Sequence, residues 1–359
     1  MTIRGAATEG APKFQDEARE YDAVLVMSFG GPEGMEEVLP FLENVTRGRN
    51  IPPERLLEVA DHYEHFGGVS PINAQNRALI AALEAELQVD GPQLPIYFGN
   101  RNWHPLVTDT VRRMRDDGVK RAIVFVTSGF SCYSGCRQYR EDILRAQEEV
   151  GEGAPEFDKL RMFFNHPGFI APTVENLKSS LARIPEGRRS RAHVAFTAHS
   201  IPLAMAQGSA YEEQLREASR LVAEGAGCDR YALVYQSRSG PLHVPWLEPD
   251  ILDHMDELAG AGVGDLLIVP IGFISDHIEL LFDLDIEAAE KAEQLGMTMI
   301  RVPTVGTAQP FVRMLRELIL ERMTAEPERR ALGSLGPSHD ICPVDCCLAG
   351  HPGGRPGRR

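Results

Sequence analysis

Eight short β-branched or aliphatic runs recur along the 359 residues, at 22–28, 95–99, 121–127, 160–164, 192–198, 231–236, 265–271 and 297–302, each followed by a stretch of helical spacing. This alternation constrains the fold more than any other feature, because neighbouring parallel strands need a crossover connection and a helix is the usual one. The runs Ala-Val-Leu-Val-Met at 23–27, Ala-Ile-Val-Phe-Val at 122–126 and Leu-Leu-Ile-Val at 266–269 are continuously apolar, as strands buried on both faces should be. Helix punctuation agrees. Ser70-Pro71 is an N-cap followed by Pro, opening an Ala- and Leu-rich helix to about Gln88, and Gly118 closes the helix that begins near His104.

The predicted fold class is α/β, with two Rossmann-like lobes, each a four-stranded parallel sheet flanked by helices, and a cleft between them. The predicted divisions are a flexible N-terminus over 1–20, an N-terminal lobe over 21–155, a C-terminal lobe over 156–308, a helix over 309–330 and a cysteine-containing tail over 331–359. The length suits two domains of about 150 residues. Against 37 Lys and Arg stand 52 Asp and Glu, a net charge of −15, so no overall field draws the chain to nucleic acid or anionic lipid. The longest run free of both charged and strongly polar groups, 266–274, is far short of the ~20 residues that cross a bilayer. Residues 1–20 are polar and lack a leader-like apolar stretch, which predicts a cytoplasmic protein. In that reducing compartment the six cysteines are expected as thiols, metal ligands or buried fillers.

Ligands of open α/β sheets bind beyond the carboxyl ends of the strands, and three such loops stand out. Ser28-Phe29-Gly30-Gly31-Pro32 allows close backbone approach to a ligand, or simply makes a tight turn; no nucleotide-binding glycine pattern follows any strand. Thr197-Ala198-His199-Ser200 ends an apolar strand on an imidazole, fit for a metal ligand, a base near neutral pH or a capping side chain. In the third loop, Glu279, Asp283 and Glu287 recur every four residues along one predicted helix face. Like charges at that spacing repel, so either a cation compensates or the face is open to water.

Cys342-x3-Cys346-Cys347 gathers three thiols in a tail too rich in Pro and Gly to bury them in a core. Such a group holds a metal more often than not, and a fourth ligand is available from Cys136, Cys132 or Cys228. Thiol chemistry alone leaves Zn²⁺ and an iron–sulfur cluster both open.

Taken in order, the segments Leu25-Val26-Met27-Ser28-Phe29-Gly30-Gly31-Pro32, Gly67-Gly68-Val69-Ser70-Pro71-Ile72, Arg101-Asn102-Trp103-His104-Pro105, His166-Pro167-Gly168-Phe169, Phe196-Thr197-Ala198-His199-Ser200-Ile201-Pro202, Tyr235-Gln236-Ser237-Arg238 and Ser275-Asp276-His277-Ile278-Glu279 resemble the ferrochelatase family, whose members insert Fe²⁺ into a porphyrin in haem synthesis. The resemblance covers roughly 22–322 and implies a chelatase-like fold with the porphyrin in the cleft. It implies that His199 and Glu279 are the catalytic pair facing the ring centre and handling Fe²⁺, with Asp283 and Glu287 as an outer acidic track. Ser70, Tyr139, Phe29 and Tyr63 are then porphyrin contacts, Phe29 and Ile72 belong to an apolar clamp, and Arg47 and Arg49 are candidate propionate partners.

The tail resembles the cluster-bearing branch of the family, which implies a [2Fe-2S] cluster on Cys136, Cys342, Cys346 and Cys347, with Cys132 the competing internal ligand. Some bacterial relatives acting on coproporphyrin have Tyr in the first-strand loop; Phe29 has no oxygen with which to touch the metal. The resemblance implies coproporphyrin III as substrate, with protoporphyrin IX the alternative and a downstream haem-pathway enzyme as a partner. A reading of a different class is a two-lobed haem or metal binding protein without turnover. A cobalt or nickel chelatase acting on another tetrapyrrole shares the same fold and a His plus Glu site.

Overall fold

A computed structural model describes residues 7–8, 12–48, 51–240 and 243–350. Strands β1 (Ala23–Ser28), β2 (Ile96–Asn100), β3 (Arg121–Val126) and β4 (Glu156–Lys159) form one parallel sheet in the order β2-β1-β3-β4. Strands β5 (His193–His199), β6 (Tyr231–Gln236), β7 (Asp265–Val269) and β8 (Thr298–Arg301) form a second in the order β6-β5-β7-β8. The two orders are the same permutation. Val24 lies opposite both Ile96 and Ile123, and Phe196 opposite both Leu233 and Val269, so β1 and β5 are central strands. Their apolar runs are buried on both faces, as the sequence predicts.

One apolar core runs through both lobes. Val26 and Phe125 of the first sheet, Phe196 and Val269 of the second, and Phe169, Leu215 and Leu315 from the helices Pro167–Leu181, Tyr211–Ala226 and Gln309–Met323 belong to a single buried cluster. Each such side chain contributes about 1.5–3 kcal/mol on burial. Smaller clusters fill the outer face of each sheet. A separate one, Val38, Phe41, Leu42, Ala60, Tyr63 and Ile278, ties the helices Met35–Val45 and Pro53–Glu64 to the second lobe.

The fourth strand lies at Glu156–Lys159, ahead of the apolar run 160–164 that the sequence favours, and pairs with β3, so the first sheet extends past the 155/156 division. The reason is polar burial. Asp158 is buried and takes a hydrogen bond from the Tyr21 hydroxyl (3.0 Å) and an ion pair from Arg19 (3.0 Å), which hides the strand from any hydrophobic pattern. Residues 160–164 are instead a buried connection in which Phe163 packs on Phe125 at 5.8 Å.

Residues 12–20, within the stretch expected to be flexible, lie against the last helix and the tail. Gln15 donates to Arg322 O (3.0 Å), accepts from Arg322 Nη1 (2.9 Å), and its N–H donates to Asp340 (3.0 Å). Ala7–Thr8 pairs in parallel with Cys342–Pro343. Among the described residues no helix is long and apolar enough to cross a membrane.

Candidate active site and thiol centre

His199 is the last residue of β5. Its Nδ1–H donates to Ser200 O at 2.6 Å, which leaves Nε2 as the nitrogen that faces outward. After β7 the chain returns over the same strand end because residue 272 is glycine. The Gly272 N–H donates to Thr197 O (3.1 Å), and a Cβ there would stand 2.8 Å from Ala198 Cβ. His277 then caps the next helix, accepting at Nδ1 from the Leu280 N–H (3.2 Å). These contacts set Glu279 Oε2 3.6 Å from His199 Nε2, with the two side chains 34% and 51% exposed. The pair therefore forms a floor with its reactive edges open.

The predicted α-helical face is wound differently. Ile278–Leu281 is α-helical, Phe282–Glu287 is a π-helix and Ala288–Leu295 resumes the α form. Such wide turns recur at functional sites. Asp283 sits in the π segment and accepts from Gln236 Nε2 (3.0 Å) and from the Ser237 hydroxyl. Ser237 has φ of +60°, an uncommon backbone conformation for a non-glycine residue, held here beside the site. Arg301 ties the loop to the π segment by pairing with Asp276 (2.9 Å) and Asp285 (2.6 Å).

Charges in the site are strongly coupled. Burial works against the Glu279 carboxylate, but His199, then His277 and His62, outweigh it and hold its pKa down to about 2. Burial also opposes an imidazolium at His199, and the Glu279 carboxylate overcomes it, so the His199 pKa is raised. Asp283 is pushed up to about 7, first by burial and then by the charge of Glu279, against the hydrogen bond of Ser237. Glu287 is raised by burial and by Asp250. At neutral pH the inner pair is ionic, and the next carboxyl outward is poised between its two forms.

The N-terminal lobe closes over this floor. His62 stacks on Phe282 with centroids 3.7 Å apart and planes 5° from parallel, and the Asp276 N–H donates to Gln75 (2.8 Å). Phe29 is 37% exposed and packs edge-on against Phe41 at 6.3 Å. The other three expected porphyrin contacts are buried. Ser70 presses on Gly31, Tyr63 packs at 6.1 Å from Phe41, and Tyr139 lies in the first-lobe core beneath the Arg101 guanidinium, 4.7 Å away. Burial and the charge of Glu279 raise the Tyr63 pKa, so its phenol stays neutral next to the pair. Ile72 is buried, Arg47 is exposed, and Arg49 lies outside the described residues. His62, Gln236, Ser237 and Arg301 escape sequence reading; the Tyr235-Gln236-Ser237-Arg238 segment is the one signal that pointed toward two of them.

The tail cysteines are gathered, and against expectation Cys342 and Cys347 are buried, Cys342 in a small cluster with Cys136 and Met162. A short strand pairing and the ion pairs of Asp340 with Arg329 (3.0 Å) and Arg322 (3.9 Å) hold this Pro- and Gly-rich segment down. Cys136, within the π-helix Tyr133–Arg137, hydrogen-bonds Cys342 and Cys347, and Cys346 Sγ lies 3.5 Å from Cys347 Sγ. Hydrogen bonds from Cys342 and Cys347 lower the pKa of the Cys346 thiol. Cys132 faces its own turn, accepting from the Gly135 N–H at 3.1 Å, and Cys228 is not part of the group. His339 joins it: its imidazole and the sulfurs of Cys342 and Cys346 all lie within 4.8 Å of one another, a set able to hold a metal ion. The H-x2-C-x3-C-C spacing was the available signal for His339.

The sequence profile of the family described as Ferrochelatase matches residues 21–323. A ferrochelatase of Rhodopirellula baltica is 57% identical over 329 residues, 91% of this chain and 93% of that one. A coproporphyrin III ferrochelatase of Streptomyces griseus is 51% identical over 354 residues, 92% of this chain and 94% of that one. Among solved structures, the sirohydrochlorin chelatase SirB of Bacillus subtilis subspecies spizizenii, in complex with cobalt, is similar at a TM-score of 0.49 and 9% identity, covering 85% of this chain and 94% of that one. With a profile match across both lobes and relatives sharing half or more of their residues over nearly the whole chain, this protein belongs to the ferrochelatase family and is a metal chelatase.

Proposed function

We propose that this enzyme inserts Fe²⁺ into coproporphyrin III with release of two protons, as a step of haem synthesis. The observation that carries the reading is the His199–Glu279 pair, 3.6 Å apart at the open floor of the second lobe. Metallation removes two pyrrole protons while a divalent ion takes their place, so it needs a base beside the ring and ligands weak enough to let the metal go. A carboxylate and an imidazole sharing one proton suit both tasks. Asp283, with a pKa near 7, suits onward movement of a proton along the track toward Glu287.

Binding the flat ring in a bent form exposes nitrogen lone pairs, and the energy for bending comes from contacts elsewhere on the macrocycle. Phe29, Met35, Leu39, Leu57 and Val69 are exposed apolar side chains of the N-terminal lobe and would supply those contacts. The names of relatives at about half identity support coproporphyrin III over protoporphyrin IX.

The four thiols fit a [2Fe-2S] cluster on Cys136, Cys342, Cys346 and Cys347: sulfur donors from two separate segments meet there. When bound, the cluster supplies a covalent tie between the first lobe and the tail; metal insertion itself transfers no electrons. The same reading makes the chain cytoplasmic, where reduced thiols persist, with the next enzyme of haem synthesis as a partner that takes up the product.

The test is anaerobic incubation with Fe²⁺ and either coproporphyrin III or protoporphyrin IX, followed by metalloporphyrin absorbance. Faster turnover of coproporphyrin III is expected, and absence of product from both porphyrins would refute the reading. The reverse preference would replace the substrate.

A further inference from the structure

The thiol centre holds one donor more than a four-cysteine cluster uses. A [2Fe-2S] cluster takes two protein ligands on each iron, and four thiolates complete it. His339 is then left over, although its imidazole shares a 4.8 Å neighbourhood with the sulfurs of Cys342 and Cys346. Nor is His339 on a loose strand of tail. The next residue, Asp340, is buried, accepts from the Gln15 N–H (3.0 Å) and pairs with Arg329 (3.0 Å), and the Asp340 and Ile341 N–H groups both donate to Lys13 O (3.1 and 2.9 Å). The backbone directly after the imidazole is thus tied to residues 13–15.

A single tetrahedral ion makes different use of these atoms. With Zn–S near ~2.3 Å and Zn–N near ~2.0–2.1 Å, its ligand atoms stand roughly 3.3–3.8 Å apart. Three donors within 4.8 Å need only a small inward movement to reach that spacing, and Cys347 Sγ, 3.5 Å from Cys346 Sγ but outside that group of three, is the neighbouring thiol that would swing in as the fourth ligand. Three cysteines and one histidine are an ordinary structural zinc set.

We propose that His339, Cys342, Cys346 and Cys347 form a mononuclear zinc site, an alternative loading state of the centre that otherwise carries the cluster. The proposal rests on the reading that these thiols bind metal, and adds His339 as the residue that separates the two states: a ligand to zinc and a bystander to the cluster. Cys136 has the opposite character, required by the cluster and dispensable for zinc. Zinc binding displaces the remaining thiol protons into solvent, so affinity rises with pH.

The full-length chain, stripped of metal under reductant, is titrated with Zn²⁺ against a chromophoric chelator and with Co²⁺ as a spectroscopic substitute; iron and sulfide are measured separately after reconstitution. One Zn²⁺ per chain is expected. His339→Ala should weaken zinc by more than the ~10–100-fold cost of losing an outer partner, alter the Co²⁺ absorption, and leave iron and sulfide content at the wild-type level. His339→Cys should restore zinc affinity and strengthen the sulfur-to-cobalt charge-transfer band, which separates ligation from a folding defect. Cys136→Ser should lose the cluster and keep zinc. Wild-type zinc affinity and an unchanged Co²⁺ spectrum in His339→Ala would overturn the proposal. Absence of iron and sulfide from the wild type, with zinc still bound through His339, would instead refute the cluster and leave the zinc site standing.

Discussion

The phenol of Tyr211 donates a 3.0 Å hydrogen bond to the carbonyl oxygen of His199, so the strand end that carries the imidazole is held from behind by the helix Tyr211–Ala226. On the same helix, Gln214 accepts from the Ser131 N–H (2.7 Å) and donates to Ser131 Oγ (3.0 Å), at the start of the turn that leads to Cys136. One helix therefore braces both the active-site strand and the turn of the thiol centre.

Tyr211→Phe removes this hydroxyl and nothing else. The lost hydrogen bond should cost about 1 kcal/mol of stability. With the imidazole less firmly placed, kcat should fall roughly fivefold while KM for the porphyrin stays unchanged. Steady-state kinetics and urea unfolding measure the two effects, and a change confined to KM would show that Tyr211 acts on the ring instead.

Glu279→Gln removes the charge that raises the His199 pKa and leaves the burial that lowers it. The imidazole, followed by NMR, should titrate above 6.5 in the wild type and below it in the variant. For stability the signs differ between the partners. The raised imidazole contributes fully below its unfolded pKa of 6.5, and the contribution is lost as pH rises through the folded value. The depressed carboxylate contributes above its unfolded pKa of 4.5 and loses this as pH falls toward about 2. The stability gap between wild type and variant should thus be widest between pH 4.5 and 6.5. Turnover should drop by about 10²–10⁴, as for loss of a positioned base.

Gly272→Ala tests the approach of loop and strand. The new Cβ would meet Ala198 Cα at 2.9 Å as well as its Cβ, and both belong to a central strand that cannot yield. Overpacking of this kind costs about 1–3 kcal/mol. The loop should lift, Glu279 should move away from His199, and kcat should fall together with the unfolding midpoint. An unchanged His199 pKa in this variant would show that the loop had absorbed the methyl group.

Cys132→Ser and Cys136→Ser separate two neighbouring thiols by their surroundings. Cys132 caps its own π-helical turn, a role that a serine hydroxyl can take over, whereas Cys136 meets Cys342 and Cys347. Iron and sulfide should be retained in the first variant and lost in the second, as read by visible absorption and metal analysis.

The strands that were legible in the sequence are those built on a continuous apolar run, 23–27 and 266–269 above all. His199 and Glu279 stood out as residues at or beyond strand ends, but it was the family resemblance that paired them, and the structure sets them 3.6 Å apart. Glu156–Lys159 was hidden because a buried ion pair gives a strand a polar sequence. The π-helical winding around Asp283 was invisible for another reason: a four-residue spacing fits either helix, and the choice is made by Ser237 and Gln236 from a different strand end. Burial of the tail thiols depended likewise on partners, Gln15 and Arg329, at the far end of the chain or outside the motif.

The core shared by both lobes has a mechanical consequence. Phe125, Phe169, Phe196 and Phe311 lie in the same uninterrupted packing, so swinging one sheet away from the other would break contacts worth many kcal/mol. The helices Met35–Val45 and Pro53–Glu64 rest instead on a small apolar patch of their own, shared with Ile278 of the second lobe, so tilting them costs far less packing than parting the sheets.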